Sequence, residues 1–391
     1  MKHRKKIIPM ISIIMMIVLA IGACVHGSPE GTQENTGNSE MIETPGTETG
    51  TDAGTETETA TETGTETETE SETESDTGNG AEDFSMFFTG DIMIKDPALN
   101  VYEEKGILGL ISPFLLNEMV TAQMTVVNEE FPFSTGGTPM PNKQYTFRVN
   151  PKYVTVFEEL GADVISLANN HSLDFGAEAL LDTFATLEQA GLSYAGAGTD
   201  RERAEEAVIV EANGRKVGVL CASRVIPVVE WNIENAQPGL FCTYSSNRLV
   251  KRIKELEQEC DFVVVYVHWG KERVENPEEY QRTLAKQYID AGADLVVGSH
   301  PHVPQGIEYY NGVPIVYSLG NFMFNKNMVD TYGLKVVFDA EGNTKVQVIP
   351  VGTSNYVTKE LTGEKRTEFL RYLESISFEV EIDDDGMVQV P

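Results

Sequence analysis

Short apolar runs that end in metal-ligand side chains are the feature that most restricts how this chain folds. Beyond residue 83 there are four histidines, and each closely follows such a run: His171, His268, His300 and His302. Two further runs lead into the carboxylates of Asp91 and of Glu129 with Glu130. Runs of this length are typical of buried strands. Because sites in open α/β sheets lie beyond the carboxyl ends of the strands, the pattern predicts a metal site there.

Apolar runs alternate with helix-like stretches over residues 84–391, which predicts an α/β domain with a largely buried sheet. We expect strands over 84–89, 124–128, 164–168, 217–221, 262–268, 295–297 and 314–318. We expect helices over 151–160, 177–190, 246–259 and 277–291, with glycine stops at 161, 191 and 292. Near the C-terminus, alternation around Glu-Gly-Asn predicts a β-hairpin over 334–349, followed by a helix over 364–376.

The sequence Gly-Ala-Asp occurs at 161–163 and again at 292–294, each time between a predicted helix and a predicted strand. An internal duplication and ordinary αβ-loop chemistry both explain the repeat. Either origin places the two loops at the same edge of the domain.

The first 24 residues predict export. Residues 1–6 carry four basic side chains, 7–23 are mostly apolar, and Ile21-Gly-Ala-Cys24 resembles the lipobox of bacterial lipoproteins. We predict a lipoprotein-type signal peptide over 1–24 and a membrane anchor through lipid on Cys24. A plain signal peptide and an uncleaved membrane anchor are the alternatives. All three place the remaining chain outside the cytoplasm, so the predicted localisation is extracytoplasmic and, with lipid on Cys24, at the cell membrane.

Residues 25–83 contain no Lys or Arg and include a run of Thr-Glu dipeptides, which predicts a disordered acidic tether. Residues 1–24 contribute +4 and residues 25–83 contribute −17 to the net charge of −32, which leaves −19 for the domain over 84–391. A domain this acidic disfavours nucleic acid as a partner. A polyanionic ligand would need a local cation, which a bound metal supplies.

The domain contains three cysteines, Cys221, Cys242 and Cys260, so at most one internal disulfide forms and one thiol is left over. None of them lies at a metal-binding spacing. Any metal is therefore held by nitrogen and oxygen donors.

Among the carboxylates, Asp91 and Glu130 follow predicted strands, where they can ligate a cation. Taken alone, an aspartate in that position is more often a cap, and adjacent glutamates are usually solvated. Asn170 and His171 follow a third strand and are more specific, with a capped turn and a surface histidine as the alternative.

The strongest signal is His300-Pro-His302. Proline keeps this segment out of a helix, and in a pleated segment both rings face the same way. His268 is another strand-end imidazole, and Glu272 is close enough in sequence to orient it or to act as acid or base. Arg148 is a candidate partner for an oxyanion, with a surface salt bridge as the alternative.

Taken in order, these motifs resemble the signature series of the bacterial poly-γ-glutamate capsule synthesis protein family of the CapA type. The matching stretches are Gly90-Asp91, Asn128-x-Glu130, Phe147-Arg148, Ala168-Asn-Asn-His171, His268-Trp-Gly with Glu272, Gly298-Ser-His-Pro-His302 and Ser318-Leu-Gly-Asn-Phe322. The family belongs to the calcineurin-like metallophosphoesterase superfamily. The resemblance therefore implies a four-layer αββα sandwich with a metal site at its strand ends, here extended by the C-terminal hairpin and helix.

For the site, the resemblance implies one or two divalent ions, Mn, Fe or Zn, and makes His171 the general acid. The implied ligands are Asp91, Glu130, Asn170, His268, His300 and His302. Met93 stands where the superfamily has the histidine of an Asp-x-His motif, so one ligand is missing and a single or weakly held second ion is expected.

For the activity, the resemblance implies phosphoester hydrolysis with His171 as the general acid. With Glu272 and Arg148, whose candidate roles come from their own sequence positions, it forms the predicted catalytic set. The implied biology is capsule biosynthesis, with poly-γ-glutamate or capsule synthase subunits as partners. The alternative is a non-catalytic accessory or anchoring component of a capsule assembly complex.

Overall fold

The computed structural model describes residues 82–391, so the signal peptide predicted over 1–24, with Cys24, and almost all of the tether predicted over 25–83 lie outside the described residues. The α-helices of the described part are α1 Asp96–Lys105, α2 Pro113–Thr121, α3 Thr155–Glu159, α4 Gly176–Ala190, α5 Arg201–Ala204, α6 Asn247–Leu256, α7 Glu279–Asp290 and α8 Gly363–Ser375. Short 3-10 helices cover Ile107–Gly109, Pro151–Val154 and Val229–Trp231. Within residues 82–391, no helix is both long and apolar enough to cross a bilayer.

The strands follow most of the predicted apolar runs and extend several of them by a few residues. They are β1 Phe84–Ile92, β2 Met124–Glu129, β3 Val164–Ser166, β4 Ser193–Ala195, β5 Ala197–Gly198, β6 Val208–Ala212, β7 Arg215–Ser223, β8 Gly239–Leu240, β9 Phe262–His268, β10 Leu295–Ser299, β11 Gln305–Tyr310, β12 Val313–Ser318, β13 Asn321–Met323, β14 Thr331–Phe338, β15 Thr344–Ser354, β16 Val357–Glu360, β17 Glu381–Ile382 and β18 Met387–Gln389.

Two mixed sheets contain all of these strands except β5 and β8, which pair with each other as a separate two-stranded antiparallel sheet. The mixed sheets confirm the predicted α/β class. The first has the order β17-β18-β15-β14-β1-β2-β3-β4, with β13 beside the end of β1 and β16 beside β15. The second has the order β11-β12-β10-β9-β7-β6. Strands β1 to β4 are parallel, and so are β7, β9, β10 and β12. Each sheet therefore presents a row of carboxyl strand ends at one edge.

Three apolar clusters set the order of the layers. Phe88 and Val264, from opposite sheets, belong to a cluster that fills the space between the sheets. Val127 and Leu180 belong to a second cluster, which packs the other face of the first sheet against α2, α3 and α4. A third cluster packs the second sheet against α6 and α7. The described chain is thus layered as helix, sheet, sheet, helix.

The C-terminal hairpin predicted over 334–349 is formed by β14 and β15, which pair antiparallel from Thr331↔Val351 to Phe338↔Thr344. Strand β14 also pairs antiparallel with β1, so the hairpin extends the first sheet beyond its parallel part. The following helix α8 begins at Gly363, one residue before the predicted start.

The repeated Gly-Ala-Asp loops have the same hydrogen bonds in the two sheets. The Thr125 N–H donates to Asp163 Oδ2 at 2.8 Å, and the Val263 N–H donates to Asp294 Oδ2 at 2.8 Å. Gly161 and Gly292, which end the preceding helices, have φ of 69° and 110°. Each aspartate therefore fastens the amino end of a neighbouring parallel strand, at the edge opposite the strand ends that carry the histidines.

Candidate metal centre

Carboxyl strand ends from both sheets deliver the predicted ligands to one cluster. Two groups of three residues have ligand atoms within 4.8 Å of one another: Glu130, His268 and His300, and Asp91, Glu130 and His302. Glu130 belongs to both groups. Asn170 joins them, because its Oδ1 lies 2.7 Å from His268 Nε2. The structure therefore places all six predicted ligands together, and all but the half-buried His302 are buried.

Asp91 is held from several directions. Its N–H donates to the Gly320 carbonyl at 2.9 Å, and its Oδ1 accepts a hydrogen bond from Asn128 Nδ2 at 2.9 Å. Its Oδ2 accepts from the His300 N–H at 3.2 Å and lies 3.1 Å from His302 Nδ1. The sequence analysis gave Asn128 no role of its own. Its hydrogen bond to Asp91 depends on the pairing of β2 with β1, which places the two residues side by side.

The ring of His268 is oriented by Ser299 rather than by Glu272. His268 Nδ1 lies 3.0 Å from Ser299 Oγ because β9 and β10 pair these residues directly. Glu272 follows a turn at Gly270, is exposed, and forms no hydrogen bond among residues 82–391. The expectation that Glu272 orients His268 is therefore wrong, although its charge still acts on Glu130 and Lys143.

The backbone of His300 and His302 is not pleated, contrary to the sequence argument. Their φ angles are 98° and 60°, which lie in the left-handed region that side chains rarely adopt. The rings still approach, with centroids 5.8 Å apart. His302 Nδ1 also lies 2.9 Å from Asn321 Oδ1. Such angles cost about 1–3 kcal/mol each and persist where surrounding contacts fix them, often at functional sites.

Three potential metal-ligand atoms in the cluster are buried without a hydrogen-bond partner among the described residues. They are both carboxylate oxygens of Glu130 and Nδ1 of His300. Burying such groups unpaired costs roughly 1–3 kcal/mol for each. Two carboxylates, an amide oxygen and three imidazoles form a nitrogen and oxygen set that suits a borderline divalent ion. The residues present thus fit a bound metal.

Burial and neighbouring charges shift the pKa values within the cluster in opposite directions. Burial, then the Asp91 carboxylate, raises the pKa of Glu130 well above its usual range. Burial, reinforced by His302, lowers the pKa of His300 to about 3, and burial lowers that of His268 strongly. Burial also disfavours the charged form of His302. The carboxylates of Glu130 and Asp91 favour that form more strongly, and they raise the pKa of His302 to about 10. The lowered pKa values keep His268 and His300 neutral, and the neutral imidazole is the form that binds metals.

Glu129 differs from its neighbour Glu130. It is fully buried, so the alternative that adjacent glutamates are solvated does not hold here, and neither of its oxygens has a partner among the described residues. Alternation along β2 puts it on the side of Val127, in the layer between the first sheet and its helices. Burial raises its pKa well above the usual range.

His171 lies beside the cluster in a network of its own. Its Nδ1 is 2.6 Å from Asp174 Oδ2, and Lys143 Nζ is 3.0 Å from the same nitrogen. Lys143 also donates to the Asn170 carbonyl and to Asp174 Oδ1. The ring of Phe147 packs on the imidazole at 4.5 Å between centroids. Burial lowers the pKa values of both His171 and Lys143, with Asp174 opposing.

Arg148 does not reach this network. It is exposed, donates from Nη1 to the Gly136 carbonyl at 2.5 Å, and lies over the Phe175 ring at 4.2 Å. Among residues 82–391 the Arg148 guanidinium has these two contacts and no hydrogen bond or ion pair with the six ligands or with His171, so its predicted role as oxyanion partner is not supported. Lys143 is the cation at this site. The sequence analysis missed it, since it lies in an irregular segment with no strand or helix pattern.

Met93 contributes no donor to the cluster. It is buried in the apolar layer between the first sheet and its helices, and its N–H donates to the Met323 carbonyl at 2.7 Å. The three cysteines are free thiols, and burial raises the pKa values of Cys221 and Cys242 to about 12.

Comparisons with known proteins agree with the motif series. The family model described as bacterial capsule synthesis protein PGA_cap matches residues 85–326. The PGA biosynthesis protein CapA of Bacillus subtilis is 30% identical over 286 residues, covering 68% of this chain and 71% of that protein. The capsule biosynthesis protein CapA of Bacillus anthracis is 30% identical over 296 residues, covering 72% and 70%. The chain belongs to the PGA_cap family of bacterial capsule synthesis proteins.

Among solved structures, a hypothetical protein from Thermus thermophilus aligns with a TM-score of 0.44 at 15% identity, covering 69% of this chain and all of that one. The family assignment rests on the sequence matches.

Proposed function

We propose that this chain is a capsule-biosynthesis protein whose metal centre hydrolyses phosphoesters. The capsule label is supported by family membership and by the names of the two Bacillus relatives. In this proposal the helix, sheet, sheet, helix layers correspond to the αββα sandwich of the metallophosphoesterase type. Asp91, Glu130, Asn170, His268, His300 and His302 hold one or two divalent ions, Mn, Fe or Zn.

The observation that carries the proposal is the set of buried, unpartnered donors on Glu130 and His300. A cation bound there would satisfy these donors. Because Glu130 belongs to both groups of three ligands, it is the residue that two ions would share. When bound, such an ion supplies Lewis acidity toward a phosphoryl oxygen and toward water.

The chain's own residues provide the remaining chemistry. Asp174 holds the Nδ1 side of His171 at 2.6 Å, which leaves Nε2 to donate a proton to the departing oxygen. The Lys143 ammonium, beside the same ring, stabilises negative charge on the substrate. Phe147 and Phe324 pack on His171 and His302 and exclude water from that side. Glu272 remains in the proposal as a proton acceptor at the exposed rim.

The proposed setting is outside the cytoplasm, with the domain attached to the membrane through lipid on Cys24 and separated from it by the acidic tether. This part rests on the sequence of residues 1–83 alone. Poly-γ-glutamate and capsule synthase subunits are the proposed partners.

The test is metal analysis of the full chain, combined with hydrolysis of p-nitrophenyl phosphate and bis-p-nitrophenyl phosphate in added Mn²⁺, Zn²⁺ or Mg²⁺. We expect bound metal and turnover in the wild type, and loss of both in His300→Ala with an unchanged circular dichroism spectrum. Gln258→Ala, at an exposed position near the end of α6, is the control. Metal without turnover would support the alternative of a non-catalytic accessory component, and a metal-free wild type would contradict the proposal.

A further inference from the structure

We propose that a cleft beside His302, closed on one side by α8, binds an ammonium group on the substrate. The substrate class is a phosphodiester in which the ester group that stays on phosphorus carries the ammonium. This inference deepens the proposed function and rests on it for the hydrolysis step.

The cleft is an open cavity of about 390 Å³ that adjoins the candidate metal centre. Cavities of this size commonly hold small molecules. Val303 and Pro304 line the cleft and directly follow His302 in the chain. His302 is the one half-buried member of the six proposed ligands, and its side chain is 17% exposed. A substrate that reaches the metal centre from this side therefore has the cleft next to it.

The other wall is formed by α8 and by residues 329–330, which precede β14. Thr331, the next residue, donates from Oγ1 to the Asn321 carbonyl at 2.6 Å, and Asn321 Oδ1 lies 2.9 Å from His302 Nδ1. Both walls are thus fixed to the surroundings of His302. This second wall lies outside the residues 85–326 that match the family model, so the family match does not account for the cleft.

Two aromatic rings from α8 form a corner in the cleft. The ring centroids of Phe369 and Tyr372 lie 6.0 Å apart, and the ring planes are inclined by 62°. Within residues 82–391 no Lys or Arg side chain lies over either ring, whereas the Tyr310 ring, for example, has the Lys286 ammonium at 5.2 Å. Aromatic faces are the groups that proteins use to recognise organic ammonium ligands. The corner therefore suits a cation that comes from outside the chain.

Three carboxylates line the cleft around this corner, from Glu275, Asp330 and Glu368, together with the single ammonium of Lys365. The Glu275 carboxylate lies beside the Tyr372 hydroxyl, and burial and then this carboxylate raise the pKa of that hydroxyl. Exposed carboxylates are frequent in this acidic domain, but here they surround aromatic rings next to a proposed metal ligand. The net charge favours a cation, and the rings favour one with organic substituents.

The position of the general acid indicates which ester group occupies the cleft. His171 does not line the cleft. The rings of Phe147 and Phe324, whose centroids are 6.2 Å apart, pack on His171 and His302 respectively. Because the leaving oxygen must lie at His171 to receive its proton, the group beside His302 is the one that stays on phosphorus.

The reaction balances with water as the second reactant. The oxygen of water bonds to phosphorus, and the bond from phosphorus to the leaving oxygen breaks with its electron pair on that oxygen. His171 gives a proton to the leaving oxygen, and one proton of the water restores His171. The products are an alcohol and a phosphomonoester that keeps the ammonium.

The experiment compares two p-nitrophenyl phosphodiesters as substrates of the full chain with added Mn²⁺ or Zn²⁺. In p-nitrophenyl phosphorylcholine the retained group carries a trimethylammonium, and in the 3,3-dimethylbutyl isostere carbon replaces the charged nitrogen. We expect kcat/KM to be roughly 10-fold or more higher for the choline ester. Equal values for the two esters would count against the cleft.

Variants locate the preference in the cleft. The ratio of the two kcat/KM values should fall toward one in the triple variant Glu275→Gln, Asp330→Asn, Glu368→Gln, and also in Tyr372→Leu. A matched control makes the same change in net charge at exposed positions elsewhere and should keep the ratio: Glu104→Gln, Asp384→Asn, Glu341→Gln. Thermal melting shows whether each variant is folded. Equal losses in the two triple variants would overturn the inference.

Binding measurements separate this inference from the proposed hydrolysis. Isothermal titration calorimetry compares phosphocholine with 3,3-dimethylbutyl phosphate, and we expect phosphocholine to bind roughly 10-fold more tightly. A binding preference without turnover of either ester would contradict the proposed hydrolysis and support the cleft. Turnover of both esters at equal rates, with equal binding of the two phosphates, would overturn the inference and leave the hydrolysis standing.

Competition assays identify the source of the ammonium ester. Glycerophosphocholine and phosphatidylcholine vesicles are each added to the assay with p-nitrophenyl phosphorylcholine. Inhibition by the first supports a soluble ester, and inhibition by the second supports a lipid headgroup. Inhibition by neither would overturn the inference.

Discussion

His268 Nε2 lies 2.7 Å from Asn170 Oδ1, and this contact joins the two sheets at the candidate metal centre. His268 ends β9 of the second sheet, whereas Asn170 follows β3 of the first. The residues are 98 positions apart in sequence. The centre therefore forms only when both sheets are packed together.

Asn170→Ala should weaken metal binding without unfolding the chain. The change removes one oxygen donor and the partner of His268 Nε2, so we expect a loss of about 10- to 100-fold in metal affinity. Titration calorimetry with Mn²⁺ or Zn²⁺ measures the loss. Unchanged affinity, with melting temperature also unchanged, would show that Asn170 is not a ligand.

Lys143 and Arg148 provide a paired test of which cation serves the site. Lys143→Met should lower phosphoester hydrolysis by about 10- to 100-fold, because the ammonium contacts His171 and Asp174 beside the cluster. Arg148→Met removes an exposed cation and should change the rate less than twofold. Steady-state kinetics with p-nitrophenyl phosphate compare the two variants. A larger loss from Arg148→Met would reverse the assignment.

Glu129→Met should stabilise the protein. The carboxyl group is fully buried, and its oxygens have no partner among the described residues. Replacing it with an apolar side chain of similar size removes a desolvation penalty, so we expect a gain of about 1–2 kcal/mol in the free energy of unfolding. Urea denaturation measures the gain. A loss of stability would mean that the carboxyl group has a binding role of its own.

Glu308→Gln should reduce stability at neutral pH and have little effect in strong acid. Glu308 accepts hydrogen bonds from Arg282 and Tyr317 and pairs with Lys286, and these contacts outweigh burial and lower its pKa to about 2. The stabilisation is present above the unfolded pKa near 4.5 and is lost as pH falls from there to about 2. Allowing for partial solvent screening, we expect a difference of about 1–2 kcal/mol at pH 7.

Melting temperatures from pH 2 to 7 test this dependence. The wild-type and variant curves should converge at the acid end. Parallel curves over the whole range would contradict the role assigned to Glu308.

Much of the fold was predictable because its signals are local. The run from Phe262 to His268 was predicted with both ends correct, since a continuous apolar stretch bounded by polar residues is read directly from the sequence. Gly191 ends α4 with φ of 72°, as its position after the helical pattern predicted. The helix predicted over 151–160 is instead a 3-10 turn followed by α3.

The less predictable parts of the site depend on tertiary contacts. Ser299 orients His268 through the register of β9 with β10, which no sequence pattern specifies. Lys143 reaches His171 from an irregular loop. Pro301 correctly excluded a helix, but the left-handed angles of its two histidine neighbours could not be inferred from alternation along a strand.

Asp163 and Asp294 each accept a hydrogen bond from the amino end of a neighbouring strand, at the edge of the sheet opposite the histidines. This arrangement separates the parts that secure the strands from the parts that select a ligand. Loops around the histidines can consequently be exchanged or lengthened in engineering experiments, while both aspartates keep strand register intact. The fold is therefore a suitable scaffold for redesigning the ligand specificity of the site.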